Sequence, residues 1–263
     1  MNQAEARGMP GKGKPAGQGV TRVAFFGGSF DPPHLGHLAV ARAARDVFHM
    51  DTVLFAPVGT QPLKPEGLAA SFADRLAMTR LAIESEPGFA VSLADAPKPQ
   101  GAGGSKPNYT LETLKGLRAA FKPGSALYCL MGADSFFGLR RWHRAAEIPY
   151  AASLIVASRP GQPLDGLKAA LPQGLTLEPA PAGDCTESGI EVRAFTLENP
   201  AGERAPFYVL PGLDVEISAT EIREAIRRTA MGESSVVEGA SAAIQTMLPA
   251  AVAEYIRNHG LYR

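Results

Sequence analysis

The stretch Gly27-Gly28-Ser29-Phe30-Asp31-Pro32-Pro33-His34-Leu35-Gly36-His37-Leu38 constrains this chain more than any other. The apolar run Val23-Ala24-Phe25-Phe26 enters it and reads as a buried strand, and the alanine-rich run from His37 to Arg45 leaves it and reads as a helix of good formers. Strand, glycine turn and helix in that order outline a phosphate site. Gly27 and Gly28 let main-chain N–H groups approach an anion with no Cβ in the way, and the unpaired N–H groups of a helix start add partial positive charge. His34 and His37, three residues apart, face one side of a first helical turn. Two imidazoles there can donate hydrogen bonds to oxygens that gain negative charge during a transfer. A histidine pair at this spacing can also share a metal ion, but no cysteine or further histidine lies near in sequence to complete the ligand set.

The rest of the chain alternates in a way that predicts a parallel sheet. Thr52-Val53-Leu54-Phe55-Ala56-Pro57 reads as a second buried strand, and two strands flanking a helix make a βαβ unit with both following loops at one edge. Lys64, in the second loop, can therefore reach phosphates held by Gly27-Gly28, with a solvated lysine as the default alternative. Ser71 and Asp74 have capping-box spacing before a helix through Arg75, Met78 and Ala82, and Phe89 to Leu93 is the next strand candidate. Ala126 to Met131 and Ser153 to Ser158 read as further strands. Asp134, just beyond the first of these, stands where a ribose hydroxyl or a metal-bound phosphate could be met, and it also suits a helix N-cap. Thr110 likewise reads as an N-cap beside a packing Tyr109, and Trp142, on the next helix, as core. Ser218 and Glu221 mark a further capped helix start, with Arg223 able to make forked contacts to phosphate oxygens. Pro249, Val252, Tyr255, Ile256 and Gly260 outline a closing amphipathic helix.

At 263 residues the chain can bury one sizeable core, so the simplest partition is a single domain over 21–263 behind a disordered tail over 1–20 rich in Gly, Ala, Lys and Pro. Long loops are expected at about 95–108 and 161–206, where apolar periodicity fails. Lys plus Arg, 26, equals Asp plus Glu, 26, which gives no reason to expect a nucleic-acid or membrane partner. No signal-peptide core or membrane-length apolar window is seen, and Cys129 and Cys185 fit reduced thiols, so a soluble cytoplasmic protein is expected. The fold class is α/β: a doubly wound parallel sheet of Rossmann-like α/β/α form, with ligands crossing its C-terminal edge.

The opening stretch resembles the GG-(S/T)-F-D-P-x-H-x-G-H motif of nucleotidyltransferases, most closely that of the bacterial nicotinate-nucleotide adenylyltransferases. Further matches are Arg75 and Met78 (R-x-x-M), Tyr109 to Leu114 (Y-T-x-x-T-L), Gly132-Ala133-Asp134, Leu139 with Trp142 (L-x-x-W), Arg159-Pro160-Gly161, Ile217 to Arg223 (I-S-S-T-x-I-R) and the closing Leu248 to Tyr262. The resemblance runs from Arg22 to Tyr262. Leu63 stands where the family's P-P-H-K loop has histidine, and Ala219 where it has a second serine. The resemblance implies adenylyl transfer from ATP to nicotinate mononucleotide in NAD biosynthesis. Its implied site has His34 and His37 as catalytic groups, with Gly27, Gly28, Ser29, Phe30, Lys64, Asp134, Ser218, Thr220 and Arg223 on ATP. Tyr109, Thr110 and Trp142 would hold the pyridine nucleotide. No metal site of the protein's own is implied; Mg²⁺ would be carried by the ATP phosphates. A relative with another acceptor, such as phosphopantetheine, and a non-catalytic nucleotide-binding module are the alternatives. Oligomeric state is not legible.

Overall fold

The computed structural model describes residues 20–61, 63, 67–100, 104–158, 165–180, 192–210, 217–231 and 244–263. All but the last residue of the expected tail lies outside them. Eight strands form one sheet in the order β3-β2-β1-β6-β7-β10-β9-β8. They are β1 (Arg22–Gly28), β2 (Thr52–Pro57), β3 (Phe89–Val91), β6 (Ala126–Gly132), β7 (Ser153–Ala157), β8 (Thr176–Pro179), β9 (Arg193–Glu198) and β10 (Arg204–Leu210). From β3 to β10 every pairing is parallel. The chain steps outward from β1 through β2 to β3, then returns to β6 on the other side of β1. The strand order therefore reverses between β1 and β6, and in open α/β sheets the crevice beyond the strand ends at that point takes the ligand.

Alternation along β1 sends side chains into two cores, as a strand covered on both faces requires. Ala24 and Phe26 join the layer of α1 (Leu35–Val47), α2 (Phe72–Ile83), α7 (Ala219–Ala230) and α8 (Ala250–His259). Val23 and Phe25 join that of α3 (Thr110–Ala120), α4 (Ala133–Phe137), α5 (Ile148–Ala151) and α6 (Asp165–Ala170). Cys129 lies in this second core, and burial pushes its thiol up to about 12, so it behaves as a small apolar residue. Among the described residues no helix is long and apolar enough to cross a membrane.

Two expectations need correction. The span 161–206, expected as a long loop, supplies α6, β8, β9 and the start of β10, and β9 runs antiparallel to both neighbours. The sheet is thus parallel in its six-strand core and antiparallel at one edge. Antiparallel strands with one solvated face need no continuous apolar run; in β9 only Leu197 is buried. The β9–β10 turn is closed by Asn199, whose side-chain oxygen accepts the N–H groups of Ala201 and Glu203 at 3.0 Å each. The span 95–108 carries a small hairpin, β4 (Lys98–Gln100) with β5 (Gly104–Lys106).

Candidate active site

Gly27 and Gly28, expected as a turn, are the last residues of β1, and this strand end and the turn beyond it are shaped by aromatic packing as much as by any ligand. A Cβ on Gly27 would sit 2.7 Å from the ring of Phe25, and one on Gly28 3.1 Å from the ring of Phe30. Phe30 takes left-handed backbone at φ 47, unusual for a bulky residue, and its ring is buried edge-on to Phe26 and His37. What Phe30 offers a ligand is therefore main chain. Ser29 donates through its hydroxyl to Gln61 at 3.1 Å, tying the turn to the loop after β2.

His34 is the N-cap of α1 and His37 lies one turn on, so their rings come face to face with centroids 3.7 Å apart. The main-chain N–H of His34 donates to Nδ1 of His37 at 3.2 Å. With that nitrogen accepting, the proton of neutral His37 sits on Nε2. Burial holds the His34 imidazolium down to about 4, and burial together with the neighbouring His34 charge holds His37 well below its usual range. Both rings are therefore neutral at pH 7 without ligand. Nδ1 of His34 is buried and has no hydrogen-bond partner among the described residues, an unusual state for a native polar atom outside a functional site.

Arg75, matched by motif but given no role from sequence, is 1% exposed. Its guanidinium donates to the carbonyls of Ser29 and Val58, each at 2.7 Å, and of Ala70 at 3.3 Å. One fork thus fixes the turn after β1, the loop after β2 and the approach to α2. Burial lowers its pKa, opposed by the nearby Asp31 charge.

Beyond the strand ends the cleft has two lobes. The first, about 600 Å³, is walled by Gly27, Gly28, His34, His37, Ser218 and Arg223, with Phe30 and Thr220 on the same lining. The second, about 650 Å³, is walled by Gln61, Leu63, Asn108, Tyr109, Thr110 and Trp142. Gly27, Gly28, Ser29 and Asp134 belong to both, so two ligands lying one in each lobe would meet over the glycine turn. A cavity of similar size beside Lys115, Arg118 and Asn199 lies at the other edge, where strands begin, and has no such turn.

In the first lobe Ser218 caps α7, its hydroxyl accepting the Thr220 N–H at 3.3 Å. Arg223 donates to the main-chain oxygen of Asp31 at 2.8 Å and to the Thr220 hydroxyl at 3.2 Å, which aims its guanidinium along the lobe. Asp134 sits in the first turn of α4 behind an N-cap at Gly132, so it is not the cap that its spacing also allowed. In the second lobe Tyr109, not Thr110, is the N-cap of α3. The Tyr109 ring packs against His143, with centroids 4.3 Å apart and planes tilted by 30°. Trp142 is not helical: α4 stops before Gly138, and after the turn Leu139–Arg141 the tryptophan is extended, half-buried against the core and exposed to the lobe on its other side. Lys64 lies outside the described residues.

Sequence reasoning missed three polar residues that shape the two lobes, Asn108 and Asp95 in the second and Asp31 in the first. Asn108 is buried, exchanges hydrogen bonds with the Thr60 main chain at 3.0 Å, and donates to Ala96. Asp95 is buried with the Thr113 hydroxyl donating to it; burial raises its carboxyl, partly offset by that bond. Neither carries a local signal, since each is defined by partners more than ten residues away. Asp31 stood inside the opening motif, but its spacing gave no role.

A doubly wound sheet with a glycine turn, a paired-histidine helix start and a two-lobed crevice at the reversal point defines a nucleotidyltransferase. The cytidylyltransferase-like family model matches residues 25–225. A probable nicotinate-nucleotide adenylyltransferase of Gloeobacter violaceus is 35% identical over 241 residues, 92% of this chain and 96% of that protein. Its namesake in Laribacter hongkongensis is 36% identical over 92% of this chain and 94% of its own. The fold matches Plasmodium falciparum nicotinic acid mononucleotide adenylyltransferase complexed with NaAD at a TM-score of 0.62 and 15% identity, covering 92% and 97% of the two chains. This chain belongs to the nicotinate-nucleotide adenylyltransferases within the cytidylyltransferase-like family.

Proposed function

We propose that this enzyme transfers the adenylyl group of ATP to nicotinate mononucleotide, giving nicotinate adenine dinucleotide and pyrophosphate. The observation that carries the reading is the pair of lobes sharing one glycine wall, with imidazoles, a hydroxyl-capped helix start and an arginine on one side and aromatic rings on the other. ATP would lie in the first lobe and the pyridine nucleotide in the second. A 5′-phosphate oxygen of the acceptor attacks the α-phosphorus in line; the new P–O bond forms as the bond to the β-phosphate bridging oxygen breaks, and pyrophosphate leaves with that electron pair. No protein nucleophile is needed.

The chain's own residues hold two anions together and stabilise charge. His37 would donate from Nε2–H, His34 lines the same lobe with an Nδ1 that has no partner among the described residues, and bound phosphate raises the proton affinity of both rings. Ser218, Thr220 and Arg223 receive the departing phosphates at a helix start. Charge there would be further neutralised by Mg²⁺ brought in with the triphosphate. Asp134, a carboxylate that lines both lobes, stands where it would meet an ion carried in on the triphosphate. Incubating the pure protein with ATP, Mg²⁺ and nicotinate mononucleotide, phosphopantetheine or no acceptor tests the reading. Pyrophosphate and the dinucleotide are expected with the pyridine acceptor; turnover only with phosphopantetheine, or none, would reject it.

A further inference from the structure

Asp31 is 3% exposed and binds three separate parts of the chain. Its Oδ1 accepts the phenol of Tyr262 at 2.7 Å and the N–H of Ala70 at 3.1 Å, and its Oδ2 accepts the N–H of Ala69 at 2.7 Å. Its main-chain oxygen accepts Arg223. Ala69, Asp31 and Arg223 all wall the first lobe, whereas Tyr262 stands behind Asp31 and off that lining. Tyr262, next to the last residue of the chain, is buried and held in left-handed backbone at φ 64. A tyrosine persists in that conformation only where its surroundings over-determine it, and a buried phenol needs a partner. Burial, with the bond to Asp31 and its charge adding, pushes the phenol well above its usual range, so it stays a donor at working pH.

We infer that Tyr262 and Asp31 are positioning residues for ATP: the phenol at the chain's end fixes the Asp31 carboxylate, which holds the 69–70 wall and the main chain on which Arg223 rests. This rests on the reading of the first lobe as the ATP lobe. Removing the hydroxyl leaves Oδ1 of a buried carboxylate with the Ala70 N–H as its one remaining donor among the described residues, and loosens two walls of the ATP lobe. Acceptor binding, in the other lobe, is not coupled to it.

The experiment compares full-length wild type with Tyr262→Phe, varying ATP at saturating acceptor and the reverse. KM for ATP is expected to rise about fivefold or more, with kcat and the acceptor KM within about twofold. Hydrogen exchange at the Ala69 and Ala70 amides should speed up while β1 and β6 stay protected. An unchanged KM for ATP, or both KM values and kcat moving together with a large fall in melting temperature, overturns the inference. Arg223→Ala separates the two levels. If it raises the ATP KM and Tyr262→Phe does not, only the link fails; if Arg223→Ala leaves the ATP KM unchanged, the placement of ATP fails and takes the inference with it.

Discussion

The main-chain N–H of His34 donates to Nδ1 of His37, and that one bond decides which nitrogen of His37 faces a substrate. It occupies the acceptor nitrogen within the first turn of α1 and leaves Nε2–H as a donor that needs no rearrangement when charge develops. His37→Ala should therefore lower kcat by roughly a hundredfold or more, with ATP affinity and folding largely kept, as expected for a donor that matters most in the transition state. Steady-state rates beside direct ATP binding check this. Near-normal turnover would remove His37 from the chemistry.

Burial of the same pair makes the empty enzyme acid-sensitive. His34 titrates near 4 when folded and near 6.5 when unfolded, so between those values the unfolded chain binds more protons. Stability is full above pH 6.5 and is lost as pH falls toward 4, with His34 alone contributing on the order of 3 kcal/mol. Urea titrations at pH 7 and pH 5 should show a smaller difference in His34→Gln than in wild type. Equal pH 7 to pH 5 differences in the two proteins would mean that His34 is not buried neutral.

Arg75 meets three carbonyls with one planar group, which a lysine ammonium cannot span. Arg75→Met leaves those oxygens buried without donors and should cost about 3 to 5 kcal/mol of stability. Arg75→Lys should recover part of it. Because Ser29 is one of the three anchors, both variants should also raise KM for both substrates. A Met variant as stable as wild type would show that the carbonyls find other donors.

What the sequence made legible follows from whether a residue's role is set by near or far partners. The βαβ unit and the juxtaposition of His34 and His37 are local and legible in the sequence, as are the Ser71 and Ser218 caps and the Gly260 stop. The antiparallel edge was missed because β8 and β9 face solvent on one side, which replaces apolar runs with short mixed segments. The glycines were read as openings for a phosphate, yet Gly27 also makes room for the Phe25 ring, a contact that only the folded core creates. Asp31 was passed over for the same reason: its partners Ala69, Ala70, Arg223 and Tyr262 come from three distant parts of the chain.

The choice between acid and amide pyridine nucleotides follows from the second lobe. Thr110 opens α3 on the lobe wall, and the first N–H groups of a helix have no acceptor within it. A nicotinate carboxylate offers acceptors and negative charge to such donors, whereas a nicotinamide places N–H groups against them and leaves one side unpaired. A buried donor left unsatisfied costs about 1 to 3 kcal/mol, and with two donors the preference for the acid form should reach about a hundredfold or more in kcat/KM. Trp142, extended after the turn that follows Gly138 and lining the lobe, would supply stacking that does not distinguish the two ring substituents. Trp142→Ala should thus lower kcat/KM for both mononucleotides and keep most of their ratio. Turnover of the two mononucleotides under identical conditions, in wild type and Trp142→Ala, measures both effects. Equal efficiencies in wild type would reject donors at the start of α3 as the source of selectivity, and a ratio that collapses only in the variant would assign it to the tryptophan.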